Sequence, residues 1–170
     1  MSYHMKYEKT QTGWIFTIIF VVIIISILMS YLFQLGNHPL STNGLLVVSG
    51  ILLLTLFCFY RLKIKIEHQT IHIIYGIGLI HIRLKPTAIS AVRVIKTTFY
   101  AGYGIRITPT GMLPTGMLYN IQGSKAVEIT YGNERRKTVK IGSAEAEVLK
   151  QAILHHFKDE LLPSSILNSQ

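Results

Sequence analysis

The sequence predicts a membrane α-helical hairpin followed by an all-β partial barrel of seven or eight antiparallel strands, capped by one C-terminal α-helix. Three observations lead there. No Lys, Arg, Asp or Glu occurs between Lys9 and Arg61, a gap of 51 residues. From Leu62 the apolar residues recur every second position, the period of a half-buried strand. After Gly142 the spacing changes to three and four, the period of an amphipathic helix.

The charge gap holds two apolar runs. Trp14 to Leu35 is 22 residues long, enough for a helix to cross roughly 30 Å of hydrocarbon. Its many β-branched residues would favour a strand in water. In lipid a helix satisfies its own backbone, and that requirement dominates. The second run, Leu45 to Leu62, provides a span over 45–60 and ends where Arg61 begins the charged region. The linking segment 36–44 contains Gly36, Pro39 and Asn43, which end one helix and start the next. So short a link forces an antiparallel pair. Ser26, Ser30, Ser49 and Gly50 offer small surfaces for close helix approach or are incidental. The first run exceeds the ~7–15 residues of a signal-peptide core, and no small-residue cleavage site follows it. A retained anchor is expected.

Positive charge sets the orientation. Lys6 and Lys9 precede the first span, Arg61, Lys63 and Lys65 follow the second, and the link has none. The positive-inside rule places both termini in the cytoplasm. Trp14 and Tyr60 fall at the same interface. The expected division is a cytoplasmic segment 1–13, a hairpin 14–60 (spans 14–35 and 45–60, external loop 36–44), a cytoplasmic domain 61–162 and a flexible tail 163–170. Cys58 is the only cysteine, so no internal disulfide can form, and it reads as a small hydrophobe.

In the second half, Leu62, Ile64 and Ile66 alternate with Lys63, Lys65 and Glu67. His68-Gln69 reads as a turn. Further strands are expected at 70–76, 79–85, 91–96, 103–108, 118–123, 125–131 and 136–142, with Gly132 to Arg135 as a hairpin turn. Ser143 is the candidate N-cap of the last helix, with Glu145 and Glu147 at its positive end. Val148, Leu149, Ala152, Ile153, Phe157 and Leu161 form its apolar stripe, which runs to about Leu161, before Pro163. A curled sheet with an apolar interior needs such a cover.

Gly102-Tyr103-Gly104-Ile105-Arg106, Gly116-Met117-Leu118-Tyr119-Asn120, Gly123, Ala126-Val127-Glu128-Ile129 and Ile141-Gly142 resemble the pleckstrin-homology-like domain of bacterial membrane proteins. The layout as a whole resembles the small two-pass members that carry one such domain after a helical hairpin. The resemblance implies seven strands with a C-terminal helix, a place at the bacterial cytoplasmic membrane and no known chemistry. Met117 stands where the family pattern has tryptophan. The chain also repeats five residues, Pro109 to Leu113 and Pro114 to Leu118. An odd insertion within a paired strand would reverse every later side chain, so the extra copy is expected in a loop. The alternative is a loop whose Met112, Leu113, Met117 and Leu118 enter the bilayer.

Of 17 Lys+Arg and 8 Asp+Glu, only Lys6, Lys9 and Glu8 precede Arg61, which leaves a surplus of +8 on the domain. The candidate contacts for a membrane surface or partner are Arg61, Lys63, Lys65, Arg135, Arg136 and Lys137. The first three are also explained by positive-inside bias alone. Nucleic acid is not expected, because the clusters are short and carry no aromatic platform. The seven histidines show no metal-ligand spacing, and no paired acids, phosphate loop or activated nucleophile appears. Neither a cofactor, a small-molecule substrate nor an enzymatic activity is expected. The leading expectation is a membrane-anchored module for protein interaction or scaffolding, with self-association as one form of it. The alternatives are an anionic-headgroup binder and a small subunit or assembly factor of a larger membrane complex.

Overall fold

A computed structural model describes residues 7–36, 40–97, 104–110, 113–121, 124–133 and 136–161. Among them are two long apolar helices, α1 (Trp14–Leu32) and α2 (Thr42–Phe59), both long and apolar enough to cross a membrane and with no buried residue. Ser41 caps α2, its Oγ accepting from the Gly44 N–H at 3.2 Å. The helices are clasped at the link end by Tyr31 Oη and Thr42 Oγ1, 3.0 Å apart. At the other end the Gly13 N–H donates to the Tyr60 carbonyl at 2.8 Å, which brings Trp14 and Tyr60 to one level. Of the small residues that the sequence offers for close helix approach, Gly50 and Ser26 are turned to other uses. A Cβ at Gly50 would meet open space, and Ser26 bonds back to Val22 of its own helix at 2.8 Å.

The strands form two sheets. The first has the order β1 (Tyr7–Thr12), β2 (Arg61–Glu67), β3 (Thr70–Tyr75), β4 (Ile80–Leu84), all antiparallel. The second comprises β5 (Ile89–Lys96), β6 (Gly104–Thr110), β7 (Leu113–Asn120), β8 (Lys125–Tyr131) and β9 (Lys137–Gly142), in the order β5-β8-β9-β7-β6. The eight expected strands correspond to β2 to β9. Two expectations are corrected. The β7–β9 pair is parallel, so the strands are not all antiparallel. And the domain does not begin at Arg61, because the segment before the first helix supplies β1.

The core lies between the sheets. Leu62, Ile64, Ile66, Ile71, Ile73 and Tyr75 of the first sheet and Ile89, Val92, Val127, Ile129, Val139 and Ile141 of the second are all buried. The two-residue period of β2 accounts for this directly, since its apolar face is wholly enclosed while Lys63, Lys65 and Glu67 face outward. Helix α3 (Ala146–His156) closes the space with Leu149, Ile153 and the following Phe157, all fully buried. It is shorter than the stripe implied, and a 3₁₀ turn (Lys158–Glu160) takes over. Ser143 is not its N-cap. Glu145 occupies that position, and the Ser143 hydroxyl accepts from the Glu145 N–H at 3.2 Å.

The five-residue repeat lengthens the β6–β7 hairpin instead of forming a loop. Its second copy lies in β7, and Pro109 and Thr110 lie in β6; Gly111 and Met112 lie outside the described residues. Because the insertion falls at the hairpin tip, both arms grow and the pairing behind it is preserved: Ile105 faces Tyr119 and Ile107 faces Met117. The odd residue is absorbed by a register shift between Thr108 and Thr110.

Candidate functional site

Of the six cations singled out by sequence, the five described ones fall on two different sheets. Arg61, Lys63 and Lys65 lie along β2 in the first sheet; Arg136 and Lys137 stand at the start of β9 in the second. Arg135 lies outside the described residues. Arg61 is held at the foot of α2: its Nε donates to the Gly76 carbonyl at 2.8 Å, and its guanidinium carbon is 5.3 Å from the centre of the Tyr60 ring. Lys63 pairs with Glu8 at 2.7 Å, and Lys65 pairs with Glu67. Arg136 and Lys137 are exposed. They begin the strand that ends at Gly142, beside Gln11 and hence beside the helices. Five residues of strand put them roughly 17 Å from that end.

The outer face of the first sheet carries a pair that sequence reading treated as ordinary histidines. His72 Nδ1 and His81 Nε2 are 3.0 Å apart, close enough to share one proton. Partial burial, then the charges of His81, Lys65 and Arg83, lower the His72 pKa; Glu67 opposes this weakly. The pair follows from the β3–β4 register, in which His72 faces Arg83 and Ile74 faces His81. Folding the chain at Gly76 to Leu79 would have revealed it. Among the described residues no three His, Cys, Asp or Glu converge as metal ligands.

The edges of the sheets offer a different surface. β6 is an outer strand of the second sheet. Ile107 on it is 67% exposed, and its cross-strand neighbour Met117 is 36% exposed. An edge strand can take up a further strand along its outer side, and here an apolar pair stands beside it. Sequence reading missed Ile107 because it alternates with Ile105 as a core residue would. Ile105 packs partly against the core, whereas the lengthened hairpin carries Ile107 beyond it.

Where the helices meet the domain, Phe16, Phe20, Thr55, Phe59, Gly104, Ile105 and Ile121 line a cleft of about 300 Å³. One wall is a run of aromatic contacts: the Phe16 and Phe59 rings are 6.2 Å apart, and Phe59 and Tyr75 are 5.8 Å apart. The Tyr75 hydroxyl donates to the Gly104 carbonyl at 3.3 Å, and burial pushes its pKa upward. This surface is apolar and suited to packing.

A scan against protein-family models finds no match, and searches of curated proteins and of solved structures return no similar chain.

Proposed function

We propose that the chain is a two-pass protein of the bacterial cytoplasmic membrane, with both flanks of the hairpin in the cytoplasm and a divergent pleckstrin-homology-like domain that acts as a non-catalytic protein-interaction module. The two-sheet core closed by α3 supports the domain reading; β1 and the parallel β7–β9 pair are its departures from that pattern. The observation that carries the interaction reading is the β6 edge with Ile107 exposed on it and Met117 exposed beside it on β7. An extended partner segment adds there as a further strand, with main-chain hydrogen bonds for affinity and an apolar side chain against the pair for specificity. Pro109 has no N–H to offer and the Gly104 carbonyl is taken by Tyr75, so pairing is limited to the stretch between them.

The headgroup reading has less support, because Lys63 and Lys65 are already paired with carboxylates and exposed ion pairs to lipid would have to compete with them. The experiment is site-specific photocrosslinking in the host membrane. A photoreactive residue replacing Ile107 should give a discrete protein adduct, and one replacing His81 on β4, an outer strand of the first sheet, should not. Adducts of equal yield at both positions, or lipid adducts alone at Ile107, would refute the β6 assignment.

A further inference from the structure

The turn between β3 and β4, Gly76 to Leu79, is bound to the last turn of α2. The Ile77 N–H donates to the Phe57 carbonyl at 3.3 Å, and the Gly76 N–H donates to the Arg61 carbonyl at 2.8 Å. Contact at Gly76 is closer than a side chain permits: a Cβ there would lie 1.9 Å from the Phe57 oxygen, and φ is +56°. The Phe57 carbonyl belongs to the end of a helix, where carbonyls lack intrahelical partners. In hydrocarbon such a group must find a donor within the protein, and the turn supplies it.

The two non-glycine residues of the turn are apolar and exposed. Ile77 is 58% exposed and Leu79 is 62% exposed. On α2, Leu53, Leu54 and Phe57 are likewise exposed, and the turn meets that helix at the Phe57 and Cys58 carbonyls. The backbone of Ile77 is bonded at the level of Phe57, two residues inside the end of α2 at Phe59, which is about 3 Å along the axis. Arg61, bonded to Gly76, marks the polar side of the same junction.

We propose that the Gly76–Leu79 turn is a third membrane contact, inserting Ile77 and Leu79 into the acyl-chain boundary of the bilayer beside α2 and fixing the tilt of the β domain on the membrane surface. The occupant of this apolar surface is lipid, because the turn is bonded within the last turn of a helix whose exposed residues lipid covers. The β6–β7 tip is not the inserted element. Gly104, Ile105 and Ile121 line the junction cleft, and the Thr110–Leu113 pair stands at the other end of the β6–β7 ladder. The inference rests on the membrane reading of α1 and α2.

The test uses the full chain with Trp14→Phe, reconstituted in phosphatidylcholine–phosphatidylglycerol vesicles, with one tryptophan placed at a time by Ile77→Trp, Leu79→Trp, Val47→Trp or Lys85→Trp. Lipids brominated near the headgroup end of the acyl chain should remove most of the emission at 77 and 79, with a blue-shifted maximum and little quenching by aqueous acrylamide. Lys85→Trp should show the opposite pattern. Quenching by bromine at 47 but not at 77 and 79 would overturn the insertion while leaving the spans intact. Absence of bromine quenching at 47 as well would overturn the membrane reading, and the inference with it. Two separate turn positions guard against one substitution disturbing the turn.

Discussion

Thr12 and Arg61 face each other as the closing pair of the β1–β2 ladder, although the whole helical hairpin lies between them in the chain. The hairpin is thus an insertion at the turn of a β-hairpin. Its two flanks enter one sheet, so both lie on the same side of any membrane that the two helices cross. The even number of spans and the shared sheet require the same thing for independent reasons.

Gln11 ties β1 to the approach to α3. Its side chain is 6% exposed. Nε2 donates to the Gly142 carbonyl at 3.1 Å, and Oε1 accepts from the Ala144 N–H at 3.0 Å. Gln11→Leu should destabilise the domain by about 1–3 kcal/mol, because it removes a partner from the buried Gly142 carbonyl and from the part-buried Ala144 N–H. Chemical unfolding in mild detergent, followed by tyrosine fluorescence in a Trp14→Phe background, measures it.

Two glycines are expected to refuse alanine. At Gly142 a Cβ would lie 2.0 Å from Asn120 Oδ1, and Asn120 is buried. Gly142→Ala should cost about 1–3 kcal/mol through this overpacking. Gly76→Ala should instead separate the β3–β4 turn from α2, since the clash there is with backbone. The readout is faster amide exchange at Ile77.

Gln69 is the opposite case. It sits in the two-residue β2–β3 turn at φ +55°, beside His68 at +45°. Left-handed backbone costs a side-chain-bearing residue roughly 1–2 kcal/mol, and glycine suits such turns. Gln69→Gly should raise the unfolding midpoint, by a gain of about 0.5–1 kcal/mol once the extra freedom of the unfolded chain is allowed for.

The lowered pKa of His72 sets a pH dependence. Between the ordinary value near 6.5 and the lower folded value, the unfolded chain binds more protons than the folded one. Stability therefore falls as pH drops through this window and levels off below it. His72→Gln should flatten that slope in thermal unfolding, with His81, Lys65, Arg83 and Glu67 left in place.

The parts of the fold that announced themselves were those with a clean period. β2 alternates Leu62, Ile64 and Ile66 against charges, and all three are buried. β8 has the bounds that its pattern implied, Lys125–Tyr131. β1 was hidden because its buried residue is Gln11, whose burial depends on partners at Gly142 and Ala144, more than a hundred residues away. The parallel β7–β9 pair is likewise non-local, and no turn signal marks it. The surface was harder to read than the core. Ile107 resembles a core residue by alternation and is exposed only because the repeat lengthens its hairpin. Lys63 and Lys65 look available in sequence, yet they are occupied by Glu8 and Glu67.

The most direct test of this architecture is a comparison of two water-soluble chains: one with residues 13–60 replaced by Asn-Gly, so that Thr12 and Arg61 are joined by a two-residue turn, and one that simply starts at Arg61. The joined chain should be soluble and rich in β structure and should unfold cooperatively, whereas the truncated one should have a clearly lower urea midpoint or aggregate. Equal stability of the two, or a joined chain that is mainly helical, would contradict the account.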